Sequence, residues 1–239
     1  METQKERSAG IIFFRQEKGK MLFLLLKSRY GDWGFSKGER EPSEQKIQAA
    51  VREAKEETHI ENFFIVPGFI VHYKYSFLRN HHLVQETVTL FAAWTGITRV
   101  TLSQEHVASC WLPYRETLQK LTFENARTAL RRLHFYLAHA KPALIKQKKF
   151  YRALARVPKG KVTTYRAIAR ALGISPRMAG SMLALHYNHN VPCHRVVFSD
   201  GRMGGYNRGI SRKIALLRKE GVRLRRKKNV YYVDQARII

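Results

Sequence analysis

The charge of this chain changes character at one point, and that division limits what it can fold into. From Lys141 to the C-terminus, 24 Lys and Arg residues face only Asp200, Glu220 and Asp234, a local net of +21. The first 140 residues hold 20 basic and 15 acidic residues, a net of only +5. Halves with such different surfaces read as two domains, which a length of 239 residues accommodates. The expected domains are Met1–Lys141 and Ile145–Ile239, with Lys141-Pro142 opening a short linker. A strongly basic half is the footprint of a polyanion, either nucleic acid or an anionic membrane. No apolar run approaches the roughly 18 residues of a membrane span, and Met1–Ser8 is too charged for a secretory signal. The expectation is a soluble protein without a membrane partner, cytoplasmic, or nuclear in a eukaryote. Two cysteines with no spacing pattern exclude a disulfide scaffold and a cysteine zinc site.

Apolar runs at Gly10–Phe14 and Met21–Leu26 flank the turn-like Glu17-Lys18-Gly19-Lys20 and read as paired strands. Further strands are expected over Phe63–Tyr75 and Gln85–Trp94. Between the pairs, Ser43–Thr58 has helical spacing, with Ile47, Val51 and Ala54 on one face. A second amphipathic helix, Glu124–Ala138, closes an α/β half. The basic half reads as helices over Ile145–Arg156, Thr164–Leu172 and Arg177–Leu185. The last two are joined by the tight turn Gly173-Ile174-Ser175-Pro176, which suggests helix-turn-helix.

Residues 38–60 read GEREPSEQKIQAAVREAKEETHI. Glu53, Glu56 and Glu57 fall within about one helical turn, so at least two carboxylates leave the same edge. With Glu44 counted on the same helix, four acids would repel one another, and divalent cations with a preference for hard oxygen ligands, Mg²⁺ or Mn²⁺, would relieve that repulsion. A solvated acidic face is the alternative for an isolated acidic stretch. Here the offsets are set: Gly38, five residues, Glu44, seven residues, Arg52-Glu53, two residues, Glu56-Glu57.

That pattern resembles the Nudix box of hydrolases acting on nucleoside-diphosphate-linked compounds. The resemblance implies an α/β/α sandwich, metal held by Glu53, Glu56 and Glu57, one of them serving as base, and Arg52 orienting the carboxylates. The family usually has glycine where this chain has His59. Phe23-Leu24-Leu25-Leu26, Trp33 to Gly38, Leu102 to His106 and Trp111-Leu112 are similar to the asymmetric diadenosine tetraphosphate hydrolase branch. By that likeness Glu105 adds a carboxylate to the metal site, Lys37 faces phosphate, and Tyr75 or Phe77 stacks on adenine or serves the core. An oxidised nucleotide or a triphosphorylated RNA end remains open, because the box specifies the bond and not the leaving groups.

In the basic half, Val191-Pro192-Cys193-His194-Arg195 holds one of the two cysteines. A lone cysteine is more often a buried structural thiol. Its companions are Gly160 to Tyr165, Ser175-Pro176-Arg177, Gly204-Gly205-Tyr206 and Glu220-Gly221. Together they resemble the DNA-binding, active-site domain of the O6-alkylguanine-DNA alkyltransferases, a mostly helical, winged-helix-like helix-turn-helix unit. The resemblance implies irreversible alkyl transfer from O6-alkylguanine in double-stranded DNA to Cys193, with no cofactor. His194 would remove the thiol proton through a water, and Glu220 would orient His194. A thiol with an ordinary pKa of about 8.5 needs such a base near neutrality.

Chemistry at a base edge requires the base to leave the stack. Arg177 matches the residue that fills the vacated space, with a phosphate contact as its plainer role. Tyr165 matches the tyrosine that turns the 3′ phosphate and supplies a proton. Tyr206 and Asn207 would line the alkyl pocket, Asn207 replacing a serine common there. Arg195 is a further expected DNA contact. The run from Arg177 to Cys193 is about one residue shorter than in the family, and Asn188, then Asn190, is the hinge candidate. The family's own N-terminal domain is replaced by the Nudix-like half. The chain therefore reads as a nucleotide hydrolase fused to an alkyl-lesion repair domain. The alternative is a Nudix hydrolase joined to a non-catalytic, alkyltransferase-like DNA-binding module. Arg223–Lys228, RLRRKK, reads as a solvated, phosphate-binding strip.

Overall fold

The computed structural model describes residues 4–188, 190–234 and 238–239, with side chains described throughout these except at 141–144. The chain folds as two compact units, Met1–Ala140 and Lys141–Ile239.

The first unit is built on a seven-stranded mixed sheet. Its strands are β1 (Gln4–Glu17), β2 (Lys20–Ser28), β3 (Trp33–Gly34), β4 (Ser36–Glu39), β5 (Phe63–Arg79), β6 (His82–Thr95) and β7 (His106–Pro113). Its helices are α1 (Lys46–Thr58), α2 (Tyr114–Lys120) and α3 (Glu124–His139). β1 pairs antiparallel with β2 and β4 and parallel with β6, while β5 completes a hairpin with β6. Flanked on both edges, β1 is buried continuously from Ser8 to Arg15, as a central strand covered on both faces must be. The β1–β2 turn puts Lys18 and Gly19 at positive φ, the geometry of a two-residue hairpin loop.

Helix α1 packs on β1 and β4 through Ala49, Ala50, Val51 and Ala54. These small side chains let the helix lie close to the sheet, and the same face carries Glu57 into the interior. α1 begins at Lys46, three residues later than the sequence pattern indicated, because Gln45 takes the N-cap position and its amide donates to Gln48 Oε1 at 2.9 Å. Glu44 therefore lies in the turn before the helix rather than on it.

The second unit begins without a linker segment: α4 (Lys141–Ala155) starts directly after Ala140. Pro142 sits in its first turn, where a missing N–H costs nothing. β8 (Thr163–Thr164) leads into α5 (Tyr165–Ala171), and α6 (Pro176–Ala184) follows the turn at Gly173. Thr164 Oγ caps Ala167 N at 3.0 Å and Ser175 Oγ caps Met178 N at 3.1 Å, which fixes where both helices start. A 3-10 turn at Cys193–Arg195 precedes β9 (Val196–Val197), which pairs parallel with β8. α7 (Ile210–Lys219) and the antiparallel hairpin β10 (Leu224–Lys227) with β11 (Val230–Val233) complete the unit. Val162, Val197, Leu217, Val222 and Val233 form its core cluster. No helix in the described residues is long and apolar enough to cross a membrane.

Two candidate active sites

In the first unit Arg52 gathers the acids. Its Nε and Nη2 donate to the two oxygens of Glu44 at 3.0 and 2.9 Å, and Nη1 donates to Glu53 at 2.6 Å and Glu56 at 3.1 Å. Nη2 also holds the Glu39 carbonyl at 2.9 Å, tying α1 to β4. Gly38 lies under this cluster: a Cβ there would collide with the Glu53 carboxylate, so the glycine makes room for an acid rather than for a turn.

Glu57 is buried at 4 % exposure, and its Oε2 has no hydrogen-bond partner among the described residues. Burial first, then the charges of Glu53 and Glu105, push its carboxyl up to about 8. Glu53 is raised for the same reasons, with Glu56 and Glu105 as its repelling neighbours and Arg52 opposing. Glu105 thus acts electrostatically on both helix acids. His106 Nε2 stands 3.8 Å from Glu57 Oε1, but burial lowers the imidazole as it raises the carboxyl, so both favour their neutral forms.

His59 occupies the left-handed position after α1, with φ 52° and ψ 21°, the conformation a glycine would adopt there. Its Nδ1 is 3.0 Å from the Thr101 carbonyl, and Ser103 N donates to Glu57 O at 3.2 Å. These contacts tie the segment leading to Glu105 to the end of α1.

A cavity of about 1050 Å³ opens beside Glu57 and Glu105. Tyr73, Tyr75 and Phe77, on one face of β5, form a ladder along it with centroid spacings of 6.2 and 5.8 Å. Lys37 lines the same cavity, but its Nζ pairs with Glu86 at 3.1 Å, and the Tyr75 hydroxyl donates to Glu86 as well. Glu86 is the functional candidate that the sequence does not reveal. As one acid on an alternating strand it gives no signal of its 5 % exposure. Burial raises Glu86, but Lys37 and the hydrogen bonds outweigh it and hold the carboxyl below its ordinary value, while Tyr75 is raised by burial and by Glu86.

Among the described residues no three His, Cys, Asp or Glu side chains are already grouped to hold one metal ion. The donor set nevertheless suits a hard divalent cation: an orphaned buried carboxylate oxygen and mutually repelling acids.

In the second unit, Cys193 is 5 % exposed in the 3-10 turn. Burial pushes its thiol above the usual value, while Arg208, a hydrogen bond with Tyr206 and Lys213 pull the other way. His194 Nε2 is 2.8 Å from Glu220 Oε1. Burial lowers the imidazole and Glu220 opposes that shift. Glu220 is held at about 2: burial would raise it, but Arg195 and His194 win.

Arg195, an expected DNA contact, is tied into its own domain. Its Nε and Nη2 donate to Glu220 at 2.8 and 2.7 Å and its Nη1 to the Val157 carbonyl at 2.6 Å, so three of its N–H groups act as an internal clamp. Asn207, expected in the alkyl pocket, is anchored by its amide. Its amide donates to the His186 carbonyl, leaving Oδ1 buried without a partner among the described residues. Tyr165 starts α5, with its ring 5.2 Å from Phe198 and against Gly204, where a Cβ would strike its hydroxyl. Arg177 is exposed in the first turn of α6. Asn188, the expected hinge, accepts at Oδ1 from Asn190 N at 2.9 Å.

Lys213 is the second residue that the sequence does not reveal. It is fully buried on α7, with Nζ donating to Val196 O at 2.6 Å, Gly204 O at 3.1 Å and Gly205 O at 3.5 Å. Burial lowers it to about 8, and Cys193 opposes that shift.

Residues 4–133 match the family model of the NUDIX domain, and residues 146–222 match that of the 6-O-methylguanine DNA methyltransferase DNA-binding domain. A methylated-DNA–protein-cysteine methyltransferase of Saccharolobus islandicus is 47 % identical over 77 residues, 31 % of this chain and 49 % of that protein. A bifunctional methyltransferase/endonuclease of Picrophilus torridus is 43 % identical over 77 residues, 31 % of this chain and 26 % of that protein. The chain spans half or less of the length of these curated relatives. Among solved structures, a C. elegans Ap4A hydrolase binary complex is 28 % identical, with a TM-score of 0.48, over 56 % of this chain and 98 % of that one.

Proposed function

The chain belongs to the Nudix family and carries behind that domain the DNA-binding domain of the methylguanine methyltransferases, and on this premise we propose that it both hydrolyses a nucleoside polyphosphate and removes alkyl groups from guanine in DNA. The observation that carries the second activity is a buried Cys193 thiol followed directly in sequence by His194, whose Nε2 is 2.8 Å from Glu220 Oε1.

In the transfer step the Cys193 sulfur attacks the alkyl carbon of a flipped O6-alkylguanine. A C–S bond forms, the carbon–O6 bond breaks, and guanine leaves with the electron pair. His194, kept neutral by burial, accepts the thiol proton through a water, and Glu220 stabilises the resulting imidazolium. The Tyr165 hydroxyl supplies a proton to the departing base, and Arg177 occupies its place in the duplex. The product thioether is a poor leaving group, so each chain acts once. Intact-mass measurement after incubation with duplex DNA containing O6-methylguanine should find one added methyl group per chain, and none in Cys193→Ala. Multiple turnovers, or transfer by the alanine variant, would reject the reading.

In the Nudix unit, Glu53, Glu56, Glu57 and Glu105 would hold Mg²⁺ or Mn²⁺, which when bound neutralises the phosphates and acidifies water. Arg52 positions Glu53 and Glu56, Lys37 meets phosphate on leaving Glu86, and the Tyr73–Tyr75–Phe77 ladder takes a base by stacking. The segments around Trp33 and Glu105 favour diadenosine tetraphosphate as substrate. Glu57→Gln keeps shape and removes the carboxyl that would ionise to hold the metal, so Mg²⁺-dependent hydrolysis should fall by about a hundredfold or more. Unchanged hydrolysis in that variant or in excess chelator would remove α1 from the chemistry.

A further inference from the structure

The hairpin β10–β11 lies beyond residues 146–222, so the match to the DNA-binding domain gives it no role. Six consecutive residues, 223–228, supply five cations, Arg223, Arg225, Arg226, Lys227 and Lys228, all exposed. Among the described residues a single acid approaches them: Asp234 Oδ2 lies 3.8 Å from Arg225, the outer limit of an ion pair. Such crowding of like charge raises the energy of the free protein and is relieved by a polyanion. Charged side chains also protect a sheet edge from unwanted pairing.

Two further features go beyond edge protection. Arg226 is held in place: its Nη2 donates to Asn229 Oδ1 at 2.7 Å and its guanidinium lies 5.7 Å from the Tyr231 ring, to which Arg218 of α7 adds a second guanidinium at 5.7 Å. A guanidinium already ordered loses less entropy on meeting phosphate. The hairpin is also tied by backbone to the methyl-acceptor site. Met203 N donates to Tyr231 O at 2.9 Å and Val233 N to Gly201 O at 2.8 Å, and the chain then runs through Gly204, against Tyr165, to Tyr206, which hydrogen bonds with Cys193.

We propose that the β10–β11 hairpin is a second duplex-binding element, an arm whose cations grip the phosphate backbone of DNA while α6 engages the lesion. The inference rests on the DNA-binding reading above and adds to it a separate surface, distinct from the helix-turn-helix. Because phosphate contacts carry no sequence information, the arm contributes equally to damaged and intact duplex.

The test uses the full chain with Arg225, Lys227 and Lys228 all changed to Gln, leaving Arg226 and its packing intact. Affinity for an undamaged fluorescent duplex of about two helical turns, ~20 base pairs, is measured across a salt series. Each lost phosphate contact removes about 0.9 from the log–log salt slope, so the slope should fall by at least one such step, with affinity down about tenfold. The loss should be the same for duplex with and without O6-methylguanine, and methyl transfer at saturating DNA should stay within about twofold of wild type. A charge-preserving variant, Arg225→Lys with Lys227→Arg and Lys228→Arg, should restore slope and affinity, separating charge from misfolding. Unchanged slope and affinity in the Gln variant, while wild type binds, would overturn the arm. Failure of wild type to bind any duplex would overturn the DNA-binding reading beneath it. Loss of binding to phosphatidylserine vesicles with DNA binding intact would assign the patch to a membrane, and a greater loss on an RNA duplex would assign it to RNA; either overturns the proposal.

Discussion

A buried thiol raised above its ordinary pKa is unreactive at neutral pH unless its proton has somewhere to go, so in the proposed transfer Cys193 would depend on His194. Burial keeps His194 below the ordinary value of about 6.5, which leaves it neutral and able to accept a proton near neutrality. Transfer should therefore fall only at acid pH, as the imidazole becomes protonated. Glu220 raises His194, so Glu220→Gln should move that acid limb to lower pH while reducing the neutral-pH rate, because the imidazolium loses its partner. Single-turnover transfer rates from about pH 5 to about pH 9 would check this, and an acid limb shifted upward in the variant would contradict it. At this scale the motif residues are legible in the sequence and the residues packed around them are not. Cys193, His194 and Glu220 stand at motif positions. Lys213 reads as an ordinary surface lysine on a helix, yet its ammonium is what ties together the carbonyls of Val196 and Gly204, and only tertiary packing reveals that. Arg195, read as a DNA contact from its place in the motif, directs three of its N–H groups inside the domain, which only the fold reveals.

Among the elements, α1 joins fold to site. Its alanine face determines how close it lies to the sheet, and that closeness is why Glu57 is buried and why Gly38 can carry no Cβ. Gly38→Ala should displace the Glu53 carboxylate without disturbing β4, whose glycine has no positive φ. Hydrolysis should drop by about a hundredfold, the cost of misplacing a reacting group by ~1 Å, with the thermal transition little changed. Steady-state assays and melting curves would separate that result from simple unfolding. Elements with strong local punctuation were readable from sequence: α5 and α6 were expected within a residue or so, because Thr164, Gly173 and Ser175-Pro176 mark their ends. The expected linker at Lys141-Pro142 is instead the first turn of α4, since proline is as compatible with a helix start as with a loop. The short strands β3 and β4 and the hairpin β10–β11 carried no usable signal. Two-residue or heavily charged strands are defined by their partners, not by periodicity.

At the scale of the whole chain, the expected site residues divide cleanly: every residue assigned to nucleotide chemistry precedes Ala140 and every one assigned to DNA follows it, together with +21 of the formal charge of +26. Each unit also has its own buried core, Phe13, Phe63 and Leu90 in one and Val162, Leu217 and Val222 in the other. Division of labour should follow. A fragment of residues 141–239, cut so that α4 keeps its first turn, should bind duplex DNA and accept one methyl group. A fragment of residues 1–140 should hydrolyse nucleotide and leave DNA unbound. DNA affinity of the basic fragment should fall steeply with salt, by several units of log–log slope if it covers several phosphates at about 0.9 each. The informative failure is a soluble, folded C-terminal fragment that neither binds nor reacts until the Nudix half is restored. The Nudix domain would then be the structural support of the acceptor domain, and selection on Glu57 and selection on Cys193 would act on a single folding unit.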